Sequence, residues 1–324
     1  MRDSTINSII NKDFNNNKDV PKIVGKIDLD ILEKDKKERI NFEKMSIFLK
    51  KGMNLLSKEV NEKYAEYGPV LEEDGSIKME GKDSNYHKEL IMIKESAWAK
   101  EEKKSIKEWK EKKDKDPAVI AEMMITLLLH NKLKDRFLVS RSSIFDDYEN
   151  GVDYVLMDKE TGAVVCGLDQ VLGIGKDSGS FKKKDKIENI LLRGGARLEY
   201  GLTLADDFEK DNDLIRKKIK NIPAFFLGVS KNDLDKMLAS LQKEGIDGDF
   251  SEDVFDKNED FKNFSQSILK NIIDSLGEQY IKNKKMLEEK TGDDRKKVEE
   301  LLKNFDKFKE SLDKIKGEIN KINE

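Results

Sequence analysis

Two aspartates stand where a strand-like sequence has little ordinary use for them. Residues 141–171 read RSSIFDDYENGVDYVLMDKETGAVVCGLDQV, with Asp153 inside one apolar run and Asp169 just after the charge-free AVVCGL. Carboxylates oppose strand propensity. Two of them in one hairpin repel each other and lose water unless a cation offsets both costs. The turn Asp158-Lys159-Glu160-Thr161-Gly162 joins the two runs, and a register centred near Glu160 sets Asp153 across from about Gly167, close to Asp169. Opposite and diagonal β-carbons lie roughly 4.5 to 8 Å apart, a span over which two carboxylates can share a hard divalent ion such as Mg²⁺ or Mn²⁺. Placed at strand ends, the same residues would instead be ordinary hydrated carboxylates.

Other polar groups lie near this pair in sequence. Arg141, Ser142, Asp146 and Asp147 could bind phosphate or orient metal ligands, although Asp146-Asp147 followed by Asn150-Gly151 is also common turn chemistry. Lys182, Lys183, Lys184 and Lys186 form the most basic local patch, suited either to steering a nucleic-acid backbone past the acids or to facing solvent. Gly173-Ile174-Gly175-Lys176 is not a phosphate loop, because Asp177 follows the lysine where Ser or Thr is required. His87 and His130 are the only histidines and Cys166 the only cysteine, which excludes a His-rich or Cys-rich metal site and a disulfide framework. Ser142 and Ser143 lack the strand-to-helix elbow of a hydrolase nucleophile.

The elements that must position these residues follow from periodicity. Asp116-Pro117 is a helix start, and AVIAEMMITLLLHNKL after it is apolar on most sides, with Glu122, Thr126 and His130 on one face, directed at solvent or at a site. Strand-type runs follow at residues 137–139, 152–158, 163–171 and 222–229; the last, IPAFFLGV, carries no charge and reads as a central strand. A basic helical segment and the alternating piece ARLEYGL separate the third run from the fourth, and a further helix spans Asn232 to Gln242. The order helix, three strands, helix, strand, helix predicts an α/β core over residues 116–243, a mixed sheet flanked by helices.

Charged arms flank that core. Residues 1–28 read as loosely attached, and residues 29–115 as a charged N-terminal helical arm broken by Gly68-Pro69 and by an exposed loop from Glu72 to Ser84. From Tyr86 to Lys113 the helix resumes, with Ile91, Ile93, Ala97, Trp98, Ile106 and Trp109 as its inward stripe. Residues 258–324 read as a helical hairpin whose second helix carries a coiled-coil seam, Val298, Leu301, Phe305, Phe308, Leu312, Ile315, Ile319 and Ile322, able to pair within the chain or with a protein partner.

At 37% hydrophobic and 40% charged, the 324 residues hold too few apolar side chains for two full cores. A net charge of -4 lacks the footprint of a general nucleic-acid binder, so any such contact must be local. Met1 to Val20 has no apolar segment of signal-peptide length and nowhere do about 18 apolar residues run together, so a cytoplasmic location with no membrane partner is expected.

The order of elements and the placement of acids together resemble the PD-(D/E)xK nuclease superfamily: a helix with an acid, a strand with Asp, a strand ending in (Asp or Glu)-x-Lys, a helix and a buried strand. The resemblance covers residues 116–243 and implies a restriction-endonuclease-like core. Glu122 matches the acid of the first helix, Asp153 the motif aspartate and Asp169 the acid of the third motif. In that family the acids hold the metal, here Mg²⁺ or Mn²⁺, and the lysine helps orient or activate the attacking water. The third motif here reads Asp169-Gln170-Val171, with valine in place of lysine. Lys176, Lys183 or Lys184 would have to supply the cation, with Arg141, Lys183 and Lys184 as phosphate contacts. The implied function is metal-dependent cleavage of DNA or RNA; the alternative is a non-enzymatic interaction protein that keeps the scaffold.

Overall fold

Asp116 and Pro117 open their helix as their types predict: the Asp116 carboxylate accepts the Ala118 N–H at 2.8 Å, and proline takes the first helical position, where no amide partner is lost. The computed structural model describes residues 40–64, 68–173, 180–205, 213–251, 253–257 and 259–321. In chain order they form α1 (Phe42–Tyr64), α2 (Ser84–Glu101), α3 (Ile106–Lys113), α4 (Pro117–Leu133), β1 (Phe137–Arg141), a π turn (Asp146–Asn150), β2 (Tyr154–Asp158) and β3 (Val164–Leu172). Then come α5 (Ser180–Leu192), β4 (Ala196–Leu204), β5 (Leu214–Ile222), β6 (Ala224–Val229), α6 (Lys231–Glu244), α7 (Val254–Lys257), α8 (Glu259–Glu288) and α9 (Gly292–Lys321). Residues 1–28 and the start of the expected N-terminal arm lie outside the described residues.

The main sheet runs β1-β2-β3-β6, antiparallel except for the parallel β3/β6 pair; β4 and β5 form a separate antiparallel ribbon. The expected helix, three strands, helix and strand are all present. β5 was not expected, because its sequence LIRKKIKNI is dominated by charge. Tyr154, Leu156, Cys166 and Leu168 pack against Leu129 and Leu133 of α4, Ile272 and Leu276 of α8 and Ile315 of α9. Side chains alternate along a strand, so Asp169 faces the other way, where α5 lies.

Three expectations about packing change. β6 is an edge strand rather than a central one, and its burial comes from helices: Phe225 stacks on Phe308 of α9 at 4.3 Å, and α8 closes the open edge. There the Gln279 carboxamide mimics a neighbouring strand, accepting the Phe226 N–H at 3.0 Å and donating to the Phe226 carbonyl at 2.8 Å. The α9 seam packs within the chain, as the hairpin reading expects, against α8 and the sheet, with Phe305 and Phe308 fully buried against Phe225; Ile322 lies outside the described residues. Residues 40–324 accordingly cluster as one unit, with α1 packed against α4.

The loop at residues 72–84 is not simply exposed. Ile77 is buried, and the Arg141 N–H and carbonyl bond Gly75 O and Ile77 N at 3.0 and 3.1 Å, so the loop docks on the end of β1. The helix expected from Tyr86 to Lys113 breaks at Lys103, whose φ is 56°, and restarts with a Ser105/Glu108 capping box. Its buried face is His87, Ile91, Glu95 and Ala99, each four residues from the next, which leaves Ile93 on another face and 64% exposed; Glu95 pairs with Lys110 at 2.7 Å.

Gln279→Ala leaves the β6 edge unpaired in a buried place and is expected to cost about 1–3 kcal/mol. Urea unfolding measures this; an unchanged midpoint would show that the carboxamide does not close the sheet.

Candidate functional site

The β2–β3 hairpin sets the two aspartates closer than simple counting gives. Its turn is centred between Glu160 and Thr161, as the Asp158 N–H to Ala163 O bond shows, and the pairing shifts between Leu156 and Met157. These displacements add in one direction. Asp153 therefore donates its N–H to Leu168 O at 2.8 Å, and its Oδ2 accepts the Gln170 N–H at 2.5 Å, beside Asp169 instead of opposite Gly167.

Asp169 is 1% exposed, and a buried carboxylate needs a partner. Helix α5 supplies two: Lys183 bonds Oδ1 and Lys186 bonds Oδ2 at 2.9 Å. The two lysines are three residues apart and so share one helical face. Gly151 beside Lys186 has a φ of 64°, a left-handed conformation that favours glycine. Burial opposes the Lys183 charge, but Asp153, Asp169 and Glu122 outweigh it and hold its pKa above the usual lysine range.

On the other side of Asp153 lies a cavity of about 240 Å³ that also receives Glu122 from α4, Arg141 from β1 and Asp147 from the π turn. Arg141 links Glu122 at 3.2 Å to Asp74 of the docked loop at 3.5 Å. Burial raises the pKa values of Glu122, Asp147 and Asp153. For Asp153 the shift is large, because Glu122, Asp169 and Asp147 all repel its charge and Lys183 only partly compensates. The far wall holds Tyr148, whose hydroxyl receives the Lys113 ammonium at 2.8 Å, and Glu95. Asp146, by contrast, is a brace: it is fully buried, raised by burial, and accepts bonds from Ser143, Asn150 and the N–H groups of Glu199 and Tyr200.

The structure thus brings Glu122, Asp153, Asp169, Arg141 and Lys183 together. Lys184 turns away, its ammonium 5.4 Å from the centre of the Phe226 ring, because the residue after Lys183 leaves that helical face. Lys176 lies outside the described residues. The sequence favours a turn for Asp147 over a role at the site and places Lys186 only in a general basic patch; the i, i+3 spacing of Lys183 and Lys186 is the signal that both can reach one acid. His130 and His87 are held elsewhere, by Glu59 at 3.3 Å and Tyr200 at 2.7 Å. Among the described residues no three His, Cys, Asp or Glu side chains are arranged to hold a metal ion. The chain was compared with protein-family models, curated proteins and solved structures, and matches none of them.

A carboxyl whose folded-state pKa is raised binds protons better in the native state, so stability falls as pH rises from the ordinary carboxylate range through the raised values. Asp153→Asn keeps the acceptor for the Gln170 N–H and removes the repelled charge. Its melting temperature at pH 7 is expected to rise by about 2–4 °C, with a shallower loss of stability from pH 4 to 8 than wild type. Destabilisation at pH 7 would mean that the Asp153 charge is fully compensated.

Proposed function

We propose that the chain is a metal-dependent phosphodiesterase of the PD-(D/E)xK kind, acting on DNA or RNA, with Asp153 and Asp169 as central acids and Glu122 and Asp147 beside them. The observation that carries the reading is the pair of cations reaching Asp169 from α5. They supply, from the following helix, the positive charge that Val171 cannot. The carboxyl chemistry suits a hard ion, although no three of the described acids are arranged for one as they stand, so Mg²⁺ or Mn²⁺ would have to draw them together: Glu122, Asp147 and Asp153, raised by burial and mutual repulsion, would lose that penalty near the ion.

Asp153, Asp169 and Glu122 would hold the ion, which supplies Lewis-acid polarisation of a phosphate oxygen and a lower pKa for water. Lys183, held protonated, serves as a fixed positive charge for phosphate or a developing oxyanion and not as a base. Arg141, bonded to Glu122 and Asp74, orients the acid wall and leaves guanidinium faces toward the cavity for a phosphate.

A second reading has its own support. Both Asp169 oxygens are engaged by lysines and one Asp153 oxygen by a backbone N–H, which is also how a structural ion-pair network in a non-enzymatic interaction protein would be built.

Calorimetric titration with Mn²⁺, alongside incubation with single- and double-stranded DNA and RNA, separates the two. The nuclease reading expects metal binding and cleavage, both lost in Asp153→Ala and Asp169→Ala. Lys183→Ala is expected to keep Mn²⁺ binding and lose roughly a hundredfold in rate. Wild-type protein that neither binds Mn²⁺ nor cuts any of these substrates would be a scaffold.

A further inference from the structure

At the Asp158 end of β2, away from Asp153, the β2–β3 turn, β5 and α9 enclose a cavity of about 660 Å³. Its charged lining is five lysines, Lys217, Lys218, Lys220, Lys307 and Lys314, against Asp158 and Glu310. Asp158 is already neutralised by Arg136 at 2.9 Å and Lys314 at 3.7 Å. Lys218 is shared between Glu199 and Asp83. Lys217, Lys220 and Lys307 make no ion pair among the described residues. Three lysines without an ion pair thus line one cleft, whereas Lys297 and Lys309 of α9 pair with Asp294 at 3.0 Å and Asp313 at 2.5 Å.

Lys217, Lys220 and Lys307 are solvent-exposed, and like charges placed around one concave, partly apolar space raise the local positive potential and draw anions to it. The cleft is also held in shape. Asn304 of α9 donates to Asn221 O of β5 at 2.8 Å, and Asn221 donates to Gly194 O at 3.0 Å, which fixes the helix against the ribbon. Gly195 completes the joint, since a Cβ there would lie 2.8 Å from both Ile222 O and Leu301 Cδ1. Val164, Val165 and Ile219 provide an apolar floor, and Ser311 a hydroxyl on the wall. This volume lies within the range of about 300–1,000 Å³ typical of small-ligand sites.

We propose that this cleft binds a compact polyanion carrying two or more phosphate groups, with Lys217, Lys220 and Lys307 as its principal contacts. The phosphates can belong to a free polyphosphate or nucleotide, or to consecutive residues of a single nucleic-acid strand; the chemistry is the same. The site is separate from the acid cluster, because the five residues of β2 hold the two about 17 Å apart at roughly 3.3 Å per residue. It therefore does not rest on the nuclease reading.

The test titrates the full chain with inorganic tripolyphosphate and with a short single-stranded oligonucleotide at two salt concentrations, using wild type, Lys217→Gln/Lys307→Gln and Asp153→Asn. Tripolyphosphate is expected to bind wild type and Asp153→Asn alike, to weaken with salt, and to bind the double variant at least about tenfold more weakly. Competition by the oligonucleotide at lower concentration assigns the phosphates to nucleic acid; its absence assigns them to a free ligand. Acetylation of wild-type lysines, read by mass spectrometry, needs no variant: tripolyphosphate should protect Lys217, Lys220 and Lys307. No binding of either probe, binding unchanged in the double variant, or protection of lysines elsewhere instead would overturn the proposal.

Discussion

The molecule is organised around the burial of Asp169 in the middle of β3. A carboxylate with 1% exposure cannot stay charged without partners, and removal of a partner from a buried pair generally costs far more than the pair itself contributes. That constraint places α5 over the sheet, with Lys183 and Lys186 reaching the two Asp169 oxygens. It also sets the electrostatics of Asp153, which feels the Asp169 charge on one side and those of Glu122 and Asp147 on the other. The site is thus an excess of carboxylates with cations at its margins, Lys183 and Lys186 behind and Arg141 in front.

A chain with 40% charged residues builds one core by using its apolar residues economically. The α9 seam, which would suit a coiled coil, is laid against Phe225 instead. The sheet edge that a further strand would normally cover is closed by one carboxamide, Gln279, on a helix that already packs there. Burying the seam internally occupies the apolar face that a coiled-coil partner would need.

Charge of opposite sign collects toward the two ends of β2. Glu122, Asp147 and Asp153 line the cavity at its start, and lysines of β5 and α9 line the cavity at its finish. The net charge of -4 conceals this separation, because whole-chain composition averages over patches that the fold keeps apart.

The sequence by itself determined the local pieces: the Asp116-Pro117 start of α4, the strands around Asp153 and Asp169, α5, and the mixed α/β order, because capping, alternation and turn chemistry act over a few residues. It also selected Glu122, Asp153, Asp169, Arg141 and Lys183, which the fold does bring together. Only the tertiary structure decided the pairing shift that sets Asp153 beside Asp169, the choice of Lys183 over Lys184, the entry of Asp147, and the docking of the loop that carries Asp74. It alone showed β5, whose lysines hide its strand character, and the burial of the α9 seam. Each of these depends on which face of one element meets which face of another. That is settled by contacts between residues far apart in the chain, and spacing along the sequence carries no record of it.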